Sequence, residues 1–273
     1  MSSLQSNQFF EMQSALEHYN EHRTTLKMTT GSADLDSLID GIQEGMFYLF
    51  YGNNSVVLDA MVYRFLVNCV LPIKQKHGFE SMGVFLNNVN YYDYSRKTSA
   101  SVSPEKIGIA AKCSGIDPKI VFKNLYILTA YNESHQLSVA EQITRLIESN
   151  RDIKLLVIHH LTRFFKDSTA RKKMETANIL KQTVGMICKA CGKNKVALVC
   201  TADSNTTSKG LIPRPTGGLY LKHAANAIIH IKEQSGTSTI PSFKATLLKH
   251  QYVKTPKSTT FYIKKTGTTM LLD

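Results

Sequence analysis

With 273 residues and a hydrophobic fraction of 42%, the chain has enough apolar material for one large domain with a real core, which excludes global disorder. Its 33 Lys and Arg against 21 Asp and Glu leave a net charge of +12, pointing to a polyanionic partner, most commonly nucleic acid, as readily as to a merely basic surface. Five cysteines argue against a disulfide framework; no apolar run is long enough to span a membrane, and the polar opening from Met1 to Gln8 does not resemble a secretion signal, so a cytoplasmic protein with no membrane partner is expected.

Residues 1–8 read as a polar lead. From Phe9 to Arg23, apolar residues at Phe9, Met12, Leu16 and Tyr19 have amphipathic helical spacing. Gly31 suits a turn, and Ser32 is placed to cap a short helix ending at Gly41. Met46 to Tyr51 is a nearly unbroken apolar run, as expected of a strand buried on both faces. A helix from Asp59 to Val70 follows, stopped by Pro72. Strands are then expected at Met82 to Leu86, Leu125 to Leu128, Lys154 to Ile158 and Val196 to Thr201. Helices fall between them at Pro104 to Cys113, Ser138 to Glu148 and Ala170 to Cys191. This alternation predicts an α/β fold, a mostly parallel sheet flanked by helices. After Ala227 the pattern becomes Ile228 to Lys232, Phe243 to Lys249 and Thr259 to Lys264, a strand meander. The expected organisation is a tail with a docking helix over residues 1–27 and a single core over 28–273.

The most informative stretch runs from Phe50 to Met61, between an apolar strand and a helix. A working phosphate loop reads G-x-x-x-x-G-K-[ST]: glycines free backbone N–H groups to wrap phosphate, Lys adds charge, and the hydroxyl holds Mg²⁺. Gly52 is in place, but the next three key positions are Val57, Leu58 and Asp59. Leu58 has no charge to offer, and an ionised Asp59 would repel phosphate. Val56, Val57 and Leu58 read as apolar filling of a former ligand cradle.

Several segments in order resemble the core of archaeal RadA and the eukaryotic RecA-family recombinases. They are Met28 to Leu38, Gly52 to Pro72, Gly115 to Lys119, Asn124 to Gln136, Lys154 to Phe165 and Arg214 to Ala224. The resemblance implies a RecA-like fold of the P-loop NTPase type. It also implies where the chemistry should be. The metal-supporting Asp of the family's second nucleotide motif falls at His159, and its catalytic carboxylate at about Val89. The polar sensor falls at Ala202 and Asp203, and the segment that covers the neighbour's nucleotide falls at Lys249 to Pro256. Gly52, Leu58, Asp59, Val89 and His159 therefore read as a remnant nucleotide site with no catalytic residue. No ATP, Mg²⁺ or other cofactor is expected.

The family's DNA-facing loops match segments that keep Lys166, Arg171, Lys172, Lys173, Lys209 and Arg214, with Arg163, Lys181, Lys189, Lys193 and Lys195 as extensions. Basic loops of this kind suit single-stranded DNA, whose backbone is held electrostatically. The family's subunit-docking motif falls at Met12 to Ala15, with Phe10 available as the aromatic anchor. It implies docking on a RadA-type recombinase or on a second copy, or else a helix folded on its own core. Cys188 and Cys191 lie one helical turn apart and read as core thiols. His159 and His160, taken as neighbours on a strand, would point to opposite faces, so no metal site is expected. The expected function is a non-catalytic paralogue that binds single-stranded DNA and assists a recombinase in recombination and repair. The alternatives are a scaffold that docks on a recombinase without touching DNA, and an ATPase with displaced catalytic residues such as Lys249 or Lys254.

Overall fold

The computed structural model describes residues 14, 16, 24–89, 103–165, 170–205, 212–234, 240–266 and 269–272. The fold is α/β, built around the apolar run read above, which forms strand β3 (Phe47–Gly52). Its side chains alternate between two cores: Tyr48 and Phe50 face one, and Phe47, Leu49 and Tyr51 face the other. Both faces are covered, which is why the run is apolar throughout.

Two short strands precede it, β1 (Lys27–Met28) and β2 (Ile42–Gln43), paired with each other around helix α1 (Ala33–Ile39). Ser32 holds the expected cap position but makes no side-chain cap bond. The Asp36 carboxylate organises that turn instead, accepting from the Thr30 N–H at 2.7 Å and from the Thr29 hydroxyl. After β3 come α2 (Ser55–Val70), α3 (Ile73–Lys76), β4 (Met82–Asn88), α4 (Pro104–Cys113), α5 (Pro118–Lys123) and β5 (Leu125–Ala130). Then follow α6 (Glu133–Ser149), β6 (Ile153–His159), a 3₁₀ turn (Arg163–Phe165), α7 (Ala170–Lys193), β7 (Ala197–Asp203), α8 (Gly218–Ala224) and β8 (Ala227–Glu233). The chain closes with β9 (Ser242–Lys249), β10 (Lys257–Thr266) and β11 (Thr269–Leu272).

The main sheet has the order β11-β10-β9-β8-β3-β7-β6-β4-β5. The six strands from β8 to β5 are parallel, and the meander adds β9, β10 and β11 antiparallel at the other edge. One core packs α1, α2 and α4 against the sheet; the other packs α6, α7 and α8. The expected alternation and meander are both present, and most strands run a residue or two beyond their expected ends. Helix α6 begins five residues before its expected start at Ser138, because the Asn132 side chain caps it by accepting from the His135 N–H at 2.8 Å. Helix α5, the small β1–β2 pair, α8 and β11 were not expected; each is too short for its periodicity to stand out. Among the described residues no helix is long and apolar enough to cross a membrane.

Gly52 has a packing role. A Cβ there would lie 2.4 Å from the Ile231 carbonyl oxygen on β8, a backbone atom with no freedom to swing aside. Gly52→Ala should therefore destabilise the fold by about 1–3 kcal/mol, read as a lower urea midpoint with an unchanged slope.

Candidate functional site

The C-terminal ends of parallel strands are where an α/β sheet presents ligand-binding loops. Here the ends of β3, β7 and β6 lie side by side, and they gather Asn53, Asn54, His159, His160, Asp203 and Ser204. At the end of β3 the chain turns directly into α2. Asn54 is its cap, accepting from the Val57 N–H at 3.2 Å, and its amide donates to Glu233 at 2.8 Å. The hydroxyl of Ser204 donates to Asn53. The helix starts at Ser55, four residues before the expected Asp59, because no glycine at position 57 holds a loop open and Asn54 supplies the cap. Positions 55–59 of the phosphate-loop pattern are therefore helical.

Side chains follow from that winding. Val57 and Leu58 are fully buried in the core, as expected of apolar filling, whereas Val56 is turned outward and 46% exposed. Asp59, one position on, faces inward and is itself buried. Its Oδ1 lies 2.9 Å from Nε2 of His159 at the end of β6, so the two substituted positions are partners. Nδ1 of His159 lies 2.8 Å from the Thr201 hydroxyl, which also accepts the His160 N–H at 2.8 Å. The Asn88 amide donates to the carbonyls of His159 at 3.1 Å and His160 at 3.4 Å. Burial raises the Asp59 carboxyl to about 7, against the pull of His160, Lys106 and Arg163. Burial, with Arg163, lowers the His159 imidazole to about 3. Both shifts disfavour charge in this dry setting.

The expectation that His159 and His160 point apart is corrected here. Strand β6 ends at His159, and His160 has a left-handed backbone with φ of 52°. Strand alternation no longer applies, and the two rings lie 3.9 Å apart, both buried. Val89 stands just beyond β4, half-buried, with its N–H bonded to the Ala130 carbonyl at 2.9 Å. It is not drawn into the cluster. Lys249 Nζ donates to the carbonyls of Lys222 and His223, both at 3.1 Å, at the C-terminal end of α8.

Of the expected DNA contacts, Lys166 and Lys209 lie outside the described residues. Arg171, Lys172 and Lys173 fall on the first turn of α7, and Arg214 is exposed. Positions 166–169 and 206–211 lie outside the described residues; Phe165 and Asn205, which precede them, follow the C-terminal ends of the adjacent strands β6 and β7. The residues flanking the second stretch are tied: Asn205 N–H donates to the Arg214 carbonyl at 2.8 Å, and Thr216 N–H to the Asp203 carbonyl at 2.9 Å. The Tyr51 hydroxyl donates to Pro213 at 2.8 Å. Beside it lies a cleft of about 550 Å³ whose lining includes Tyr51, Arg214, Lys222, His223 and Lys249. Lys189, Lys193 and Lys195 do not extend this surface. Helix α7 has 24 residues and carries the chain roughly 35 Å back to the opposite edge, where those lysines stand.

Phe10, Met12 and Ala15 lie outside the described residues. An apolar surface that sequence reasoning missed is at the β5 edge of the sheet, where, among the described residues, β5 has no outer neighbour and Ile120, Phe122, Tyr126, Ile127 and Tyr131 are exposed. Its signal was available: Leu125 to Leu128 is apolar on both faces, more than an edge strand in water needs. Cys188 and Cys191 are half-buried and buried free thiols, raised by burial, as expected of core cysteines.

Comparison with known proteins follows this geometry. The sequence profile described as Rad51 matches residues 21–267. The DNA repair and recombination protein RadA of Ignicoccus hospitalis is 27% identical over 228 residues, 81% of this chain and 67% of that protein. The protein of the same description from Aeropyrum pernix is 26% identical over 220 residues, 78% of this chain and 65% of that one. The chain thus spans about two thirds of the length of each relative.

Two substitutions test the rebuilt helix start. Asn54→Ala should cost about 1 kcal/mol through loss of the cap. Leu58→Lys, which restores the lysine of the phosphate loop, should cost about 3 kcal/mol or more, because it places an ammonium in a dry core. Urea unfolding of both variants beside the wild type checks the order; a Leu58→Lys protein as stable as wild type would contradict the buried position.

Proposed function

The chain belongs to the Rad51 family, and from that membership we propose that it binds single-stranded DNA in recombination and repair without turning over ATP. The observation that carries the non-catalytic part is Leu58, fully buried where a phosphate loop has its lysine, on a helix that already starts at Ser55. Phosphoryl transfer is positioning plus charge stabilisation by a lysine, Mg²⁺ and a water-orienting group. Each such electrostatic contributor is worth about 3–4 kcal/mol of transition-state stabilisation. Here the corresponding positions hold Leu58, Asp59, His159 and Val89, so little of that stabilisation remains. Lys249, a candidate displaced lysine, is occupied with the end of α8.

The DNA-binding part is supported by the basic first turn of α7 and by the cationic cleft around Arg214. Single strands are held there through phosphates, with little sequence preference. A second reading, a scaffold that docks on a RadA-type recombinase or on a second copy, is favoured by the apolar β5 edge. Exposed apolar groups on an unpaired strand edge are what a partner's strand or helix covers.

Filter binding of a single-stranded oligonucleotide over a salt series separates the two. Retention at low salt that falls linearly in log–log form is expected, and replacing Arg171, Lys172 and Lys173 by Ala should flatten the slope by about two to three. No retention at low salt, with capture of a recombinase lost on removing residues 1–27, would favour the scaffold. ATP turnover by rigorously pure protein, with or without DNA, is expected to be absent; measurable turnover would overturn the non-catalytic reading.

A further inference from the structure

We propose that Asp59, His159 and His160 form a buried site for a divalent ion of the Zn²⁺ and Co²⁺ class, held by the protein without a nucleotide. Each residue offers one ligand atom, these atoms all lie within 4.8 Å of one another, and all three residues are buried. Around Zn²⁺, nitrogen and oxygen ligands at about 2.0–2.1 Å stand roughly 3.3 Å apart. The Asp59–His159 pair is at 2.9 Å, so an ion between the two has to open the pair by only about half an ångström.

The ligand chemistry is not that of a nucleotide-bound Mg²⁺. Two imidazoles and one carboxylate suit borderline transition ions, whereas Mg²⁺ takes oxygen ligands and keeps its waters. The supporting shell is also present. Thr201 holds Nδ1 of His159, which leaves Nε2 toward Asp59, as metal-bound histidines are usually oriented. Asn88 holds the carbonyls of both histidines, and its own Oδ1 is buried beside them without a hydrogen-bond partner. His160 has a left-handed backbone, a conformation uncommon outside glycine that tends to mark functional positions. Lys106 and Arg163 act on Asp59 electrostatically and oppose a cation, so the affinity should fall below that of closed four-ligand zinc sites. The proposal does not depend on the DNA-binding reading.

The test uses the full chain, stripped with a chelator and titrated by calorimetry with Zn²⁺ and separately with Mg²⁺. Expected are uptake of about one Zn²⁺ per chain, no measurable Mg²⁺ uptake, and visible Co²⁺ bands of low-coordinate type. His160→Asn keeps a residue that tolerates the left-handed turn, so it should fold with little change in Tm. It should weaken Zn²⁺ binding by more than about tenfold. His135→Ala, which replaces a half-buried histidine outside the cluster, should leave binding unchanged. If His160→Asn does not fold, Asp59→Asn gives the same reading. Failure to take up Zn²⁺, or uptake that survives both cluster variants, would overturn the proposal.

Discussion

Double-sided burial of the parallel strands is the constraint on which the rest of the structure depends. With helices packed on both faces of β3, β4, β6 and β7, those strands meet water only near their ends. Polar work is therefore confined to the rim, and mainly to the C-terminal rim, where β3, β6 and β7 deliver their loops side by side. That confinement explains why so many substituted positions are neighbours in space while scattered in sequence. Among the described residues, β5 is the one parallel strand with a neighbour on one side only, and its edge is apolar.

Asp59 and His159 stand 100 positions apart and hydrogen-bond directly. Either residue alone would be an expensive buried polar group, since an unpaired one forfeits its hydration without return. Together, with Thr201 behind the imidazole, each finds a partner in a dry place. The Asp59–His159 hydrogen bond is a crosslink between α2 and the end of β6. Helix and sheet are joined there by a polar contact inside an otherwise apolar layer.

Much of the fold was legible because it rests on periodicity. The βαβ alternation, the strand at Phe47 to Gly52, the helix from Pro104 to Cys113 and the closing meander all follow from apolar spacing and from punctuation by glycine and proline. The candidate site was legible in its substitutions and not in its geometry. That Leu58 would be buried follows from its chemistry. That α2 would start at Ser55 depends on the Asn54 cap, a local competition between loop and helix that one side chain decides. That His160 would turn back beside His159 depends on a single backbone dihedral angle, and no residue pattern announces it for histidine. The limits of the basic surface were missed because positive charge has no direction in a sequence, whereas α7 carries its last lysines to the opposite rim.

The early start of α2 is a property of the backbone and not of one side chain alone. Forming a phosphate-wrapping loop here would require unwinding the first turn of α2, releasing Asn54 from its cap and finding a new place for two packed apolar side chains. Each step alone destabilises the protein before any nucleotide is gained. Stability therefore holds the present arrangement in place, because the helix start, its cap and the two packed side chains depend on one another.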